Sequence, residues 1–147
     1  MKAVIKNLSE TFAFAEKFSA GLKKGDVIAL TGELGAGKTY FVQGLARGLK
    51  ISKKYYVNSP TFAILNVYEG GKMPVYHFDW YRLGDVREVL DLGIEEYIDS
   101  KGLTVIEWAE KFKELLPKRT IWIRMEVVDE DKRVISIENA GFPPSRE

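Results

Sequence analysis

One eight-residue segment constrains this chain more than anything else in it. Gly32-Glu33-Leu34-Gly35-Ala36-Gly37-Lys38-Thr39 satisfies the pattern G-x-x-x-x-G-K-[ST] at every position. Such a loop has to lie between a buried strand and a helix. Its successive backbone N–H groups curl around phosphate oxygens, and the helix behind points its positive end at them. Val27-Ile28-Ala29-Leu30 reads as the strand, a short apolar run suited to the middle of a parallel sheet. After the loop, Phe41, Val42, Leu45, Ala46 and Leu49 recur at helical spacing, with a stop near Gly48. A chance match to the pattern arises in roughly 1 in 200 chains of this length, and the flanking strand and helix make it rarer. Glu33, Leu34, Gly35, Ala36, Gly37, Lys38, Thr39 and Tyr40 are therefore the expected nucleotide contacts. Lys38 is placed to reach the β- and γ-phosphates and the Thr39 hydroxyl to ligate Mg²⁺. No N-K-x-D tetrad for guanine occurs, so ATP is the expected nucleotide.

A phosphate-binding loop of this kind needs a further acidic group to hold or orient the metal. Two carboxylates follow apolar strand-like runs, Asp79 after Val75-Tyr76-His77-Phe78 and Glu107 after Val105-Ile106. Either could be a solvated residue where a strand leaves the core, but the loop makes both candidates for the metal. His77, the chain's one histidine, would share a strand face with Asp79. With one histidine and no cysteine, a multi-histidine metal centre, a thiolate zinc site, a cysteine nucleophile and a disulfide are all excluded.

The rest of the chain reads as an α/β domain, a mixed β-sheet flanked by helices with added β-hairpins. Ser9 is an expected N-cap for a first helix carrying Phe12, Ala15, Phe18 and Leu22. Runs at Phe62–Tyr68 and Met73–Phe78 flank Gly70-Gly71 as a hairpin. A helical patch surrounds Val86, Val89 and Leu90. Leu103-Thr104-Val105-Ile106 is a second buried strand, followed by a helix with Ala109, Phe112, Leu115 and Leu116. Ile121, Ile123, Met125 and Val127 alternate with polar or aromatic neighbours, and Val134–Ile137 answers them across an Asp-Glu-Asp turn. Residues 1–147 are expected to form a single domain with a frayed tail over Pro143–Glu147. Net charge is only +1, from 22 basic and 21 acidic residues, which disfavours nucleic acid as the principal ligand. No apolar run approaches the ~20 residues that span a bilayer, so a cytoplasmic protein without membrane contact is expected.

Four segments taken together resemble one family. They are the Gly32–Thr39 loop, Ser59-Pro60-Thr61-Phe62, His77-Phe78-Asp79-Trp80-Tyr81-Arg82-Leu83, and Glu107-Trp108, with Leu92-Gly93-Ile94-Glu95-Glu96-Tyr97 between the last two. In this order and spacing they are similar to the TsaE (YjeE) family, small bacterial ATPases of tRNA threonylcarbamoyladenosine biosynthesis. Tyr40 departs from the family, which usually has a smaller residue there. The resemblance implies a P-loop ATPase fold with ATP and Mg²⁺ as cofactors. It implies Lys38, Asp79 and Glu107 as catalytic residues, and Thr39, Asp79 and Glu107 around the metal. Ser59 and Thr61 would form a switch-like segment near the γ-phosphate, while Thr11 and Arg133 would meet the base region. The implied partners are the TsaB and TsaD proteins, with tRNA engaged indirectly through their complex. Two other function classes stay open on the residues alone: a small-molecule P-loop kinase, and a nucleotide-gated binding module without significant turnover. No long basic insertion is present to form a kinase lid.

Overall fold

The computed structural model describes residues 1–33 and 36–139. Its centre is a seven-stranded mixed sheet. The strands are β1 (Lys2–Ile5), β2 (Val27–Gly32), β3 (Leu65–Tyr68), β4 (Val75–Asp79), β5 (Leu103–Glu107), β6 (Ile121–Val127) and β7 (Arg133–Asn139). Their spatial order is β1-β7-β6-β2-β5-β4-β3. The four inner strands β6, β2, β5 and β4 run parallel. The outer pairs β1–β7, β7–β6 and β4–β3 are antiparallel, so both expected hairpins are present. Complete burial of Val27–Leu30 and Leu103–Ile106 follows from this topology, since inner parallel strands are covered on both faces.

Two apolar clusters lie on the two sides of the sheet. On one, Ile28, Leu30, Val105 and Ile123 meet helices α1 (Leu8–Phe18) and α2 (Lys38–Gly48) through Ala15, Phe41, Val42 and Leu45. On the other, Val27, Ala29, Phe78 and Ile106 meet α3 (Val86–Asp91), α4 (Ile94–Ile98) and the 3-10 segment Ala109–Leu115. The first helix begins two residues earlier than expected, because Asn7 rather than Ser9 caps it. The Asn7 side chain accepts from the Glu10 N–H at 2.9 Å, and the Glu10 carboxylate accepts from the Lys6 N–H at 2.9 Å.

Two further expectations need correction. Phe62–Ile64 is a turn rather than the start of a strand: Ile64 has φ +71° and its N–H bonds the Pro60 carbonyl at 2.6 Å. The expected α-helix after β5 is a 3-10 segment broken at Phe112 (φ −138°, ψ 48°). There Phe112 packs edge-on against Trp80, and Lys111 is drawn to the Tyr81 and Leu83 carbonyls at 2.7 and 2.8 Å. Strand β1 and helix α4 were not anticipated; at four and five residues they are too short to show a period. The expected frayed tail lies outside the described residues.

Helices α1 and α2 approach so closely that Gly44 has no room for a side chain. A Cβ there would run into the Phe12 carbonyl oxygen and sit 2.8 Å from the Ala15 Cβ. Gly44→Ala should therefore destabilise the protein by about 1–3 kcal/mol despite alanine's better helix propensity. Urea unfolding measures this as a lower midpoint at unchanged slope.

Candidate functional site

The site grows from the register of three parallel strands. Leu30 of β2 pairs with Glu107 of β5, and Glu107 pairs with Asp79 of β4. The three residues form one row at the C-terminal ends of the strands, where ligands bind in open α/β sheets. Two residues beyond Leu30, the chain leaves β2 into the glycine loop and enters α2. Its N-cap Gly37 has φ +99° and offers no side-chain cap. A conformation that L-residues rarely adopt thus opens the helix start toward the loop without covering its N–H groups. Ala36 is fully buried against the core. Leu34 and Gly35, also expected contacts, lie outside the described residues, and Glu33 and Tyr40 are exposed.

Lys38 turns inward. Its Nζ donates to the Gly32 carbonyl at 2.8 Å, lies 4.0 Å from Glu107 Oε1, and stands 4.9 Å above the Trp108 ring. The Glu107 carboxylate is nearly buried and also accepts from His77 Nε2 at 2.7 Å. Asp79 is equally buried. One of its oxygens accepts from the Tyr81 N–H at 2.8 Å and the other from the Thr61 hydroxyl at 2.9 Å, with the Ser59 hydroxyl at 3.4 Å. Ser59 and Thr61 bond each other at 2.8 Å. The structure therefore brings Lys38, Ser59, Thr61, Asp79 and Glu107 together from four separate places in the chain.

Thr11 lies on the first turn of α1 beside Gly37, where a Cβ would come within 3.8 Å of its methyl group. Its hydroxyl is buried without a hydrogen-bond partner. Arg133 starts β7 opposite Ile5, two residues before the Asn7 cap, and its Nη1 donates to the carbonyls of Asp129, Glu130 and Lys132. Arg82, exposed, stacks its guanidinium 5.2 Å from the Phe62 ring, and Tyr81 leans on Trp108 at 5.0 Å.

Sequence reasoning missed Tyr68, Asn66 and Asn58. The Tyr68 hydroxyl lies 3.1 Å from His77 Nδ1 and 3.3 Å from the Asn58 carbonyl, and Asn66 Nδ2 donates to it at 3.3 Å. Burial pushes the Tyr68 phenol above its ordinary value and Glu107 adds to that, against the opposing effect of its hydrogen bonds with the Asn66 side chain and the Asn58 backbone. The phenol thus keeps its proton at neutral pH. A tyrosine on an edge strand carries no chemical signature in sequence; only the hairpin pairing of Asn66 with His77 brings it here.

Hard oxygen donors suit Mg²⁺, which keeps several waters and takes further ligands from phosphate. Thr39 at the start of α2, Asp79 and Glu107 are the oxygen-bearing residues that could hold such an ion. Among the described residues, no three His, Cys, Asp or Glu side chains are grouped closely enough to hold a metal by themselves. The orphaned Thr11 hydroxyl and the uncovered N-terminus of α2 fit a nucleotide lying over the loop.

Residues 5–135 match the family described as "Threonylcarbamoyl adenosine biosynthesis protein TsaE". Proteins named tRNA threonylcarbamoyladenosine biosynthesis protein TsaE are similar along most of their length. The one from Bacillus subtilis is 43% identical over 135 residues, covering 92% of this chain and 83% of that protein. That from Treponema pallidum is 37% identical over 137 residues, covering 93% and 99%. The crystal structure of Bacillus subtilis YdiB superposes with a TM-score of 0.82 at 36% identity, covering 96% of this chain and 86% of that one. With the family match spanning residues 5–135, relatives at 37–43% identity over most of their length and a shared fold, the chain belongs to the TsaE family.

Proposed function

We propose that this protein binds and hydrolyses Mg²⁺-ATP and, by doing so, drives the TsaB–TsaD proteins through tRNA threonylcarbamoyladenosine formation. The observation that carries the reading is the row Leu30–Glu107–Asp79, with Lys38 reaching across to Glu107 from the helix behind the loop. Relatives named for threonylcarbamoyladenosine biosynthesis support the pathway assignment.

The residues divide the work. The loop's N–H groups and the N-terminus of α2 take the phosphates, with Lys38 released from the Gly32 carbonyl to meet their charge. Thr39, Glu107 and Asp79 would hold the metal, which neutralises charge on the phosphate oxygens. Asp79, tied to Thr61 and Ser59, would orient the attacking water and sense the outer phosphate. Thr11 and Arg133 would border the nucleoside, where a guanidinium plane can stack on a base. No arginine lies in the glycine loop or in Ser59–Phe62. Slow turnover alone and faster turnover in the partner complex follow, since a supplied arginine can raise rates by roughly 10³–10⁵. A partner that orders Ser59–Phe62 would act in the same direction.

Saturating Mg²⁺-ATP at 100 times its Kd should stabilise the protein by about 2.7 kcal/mol, or roughly 5–11 °C in Tm. Lys38→Ala should abolish most of that shift in a thermal melt, and no shift in the wild type would refute nucleotide binding. Phosphate release should rise when TsaB and TsaD are added and stay unchanged with tRNA alone. Asp79→Asn and Glu107→Gln should each lower it at least about tenfold, near 1.4 kcal/mol of barrier. Equal rates in every mixture would remove partner activation, and a phosphorylated small-molecule acceptor would point to a kinase.

A further inference from the structure

His77 is fully buried, stands two residues before Asp79, and has no part in the chemistry outlined above. Its surroundings are polar by construction. A carboxylate oxygen can only accept, so the Nε2 that lies 2.7 Å from Glu107 carries a hydrogen. In the neutral ring Nδ1 is then an acceptor, facing the Tyr68 hydroxyl at 3.1 Å. The same hydroxyl lies 3.3 Å from the Asn58 carbonyl, and Asn66 Nδ2 donates both to it and to Asn58 Oδ1 at 3.3 Å. Asn58 immediately precedes Ser59. Ser59 and Thr61 in turn reach Asp79, the register partner of Glu107.

These contacts close a ring. One side runs from Asn58 through Tyr68 and His77 to Glu107; the other runs from Ser59 and Thr61 to Asp79. The Tyr68 hydroxyl has one proton and two acceptors within reach, His77 Nδ1 and the Asn58 carbonyl. Movement of the segment at Asn58 therefore changes what holds the imidazole, and with it the Glu107 carboxylate. Buried networks in which each member has a partner fix one geometry and transmit its loss.

We propose that Tyr68 and His77 are positioning residues that couple the Asn58–Thr61 segment to Glu107, so that closure of the segment over a nucleotide and alignment of the metal-side carboxylate occur together. The inference rests on the reading of Glu107 as a metal-side residue of an ATP site. It goes further by giving the segment a second route to the site that bypasses Asp79.

The test uses the full chain with Tyr68→Phe, which deletes one hydroxyl, and His77→Gln, which retains an N–H donor but loses the second ring nitrogen. Amide hydrogen exchange over residues 57–63 is followed with and without a non-hydrolysable Mg²⁺-ATP analogue, alongside analogue affinity and steady-state phosphate release. In the wild type the analogue should slow exchange in this segment, and in both variants most of that protection should vanish. Analogue affinity and KM should stay within about twofold while kcat falls at least about fivefold, and the double variant should be no worse than either single one. Wild-type protection and kcat in Tyr68→Phe would overturn the coupling, as would multiplying losses in the double variant. Unfolding of both variants without nucleotide would mark the pair as core and overturn it too. A wild type that binds no analogue defeats the ATP reading itself, and the coupling with it.

Discussion

Two carboxylates sit nearly out of solvent at the ends of adjacent parallel strands, and the surrounding structure is organised by what that burial demands. Isolated buried carboxylates are costly, and removing a partner from a buried pair is worse than never forming it. Each acid here has its own set of partners. Glu107 has Lys38 on one oxygen and His77 on the other, while Asp79 has the Tyr81 N–H and the Thr61 hydroxyl. The partners come from different elements, so satisfying the charges also fixes the glycine loop, the hairpin and the 58–62 segment relative to one another.

Backbone conformations around the acids carry part of that arrangement. Ile64 and Trp108 both have positive φ, at 71° and 60°, unusual for a β-branched residue and for a bulky aromatic. Ile64 ends the segment that holds Asp79, and its carbonyl accepts from the Asp79 N–H at 2.9 Å. Trp108 follows Glu107 directly and turns the chain so that its ring lies under the Lys38 ammonium. Conformations of this kind persist where surrounding contacts over-determine them, and here both sit one step from a carboxylate.

The sheet's two faces serve different ends. The face carrying α1 and α2 also carries His77, Asp79 and Glu107, so the helix behind the loop and the acids belong to the same side. Its packing is tight enough that α1 and α2 meet at Gly44 with no space for a methyl group. The opposite face is bound by Trp80, Phe78 and Phe112 against short helices, and Lys111 ties that layer to the Tyr81–Leu83 backbone just past Asp79.

Much of the site was legible in the sequence because its chemistry is local. A glycine loop ending in Lys-Thr, a buried strand before it and a helix after it declare themselves within about 25 residues, since phosphate binding needs contiguous N–H groups. Asp79 and Glu107 were legible as acids ending apolar runs, and the helix start at Asp85 had a capping-box signal in Glu88 that pattern reading passed over. Strand β1, helix α4 and the turn at Phe62–Ile64 were not legible. The first two are too short for a repeat to stand out, and the turn is held by Asp79 from a distance. Sequence alone singled out the candidate residues for phosphate and metal, because those demands act on neighbours in the chain. Only the tertiary structure decided that Asp79 and Glu107 share a row and that Tyr68 stands behind His77. Strand register and hairpin pairing are settled by burial of whole faces, a property no single segment contains.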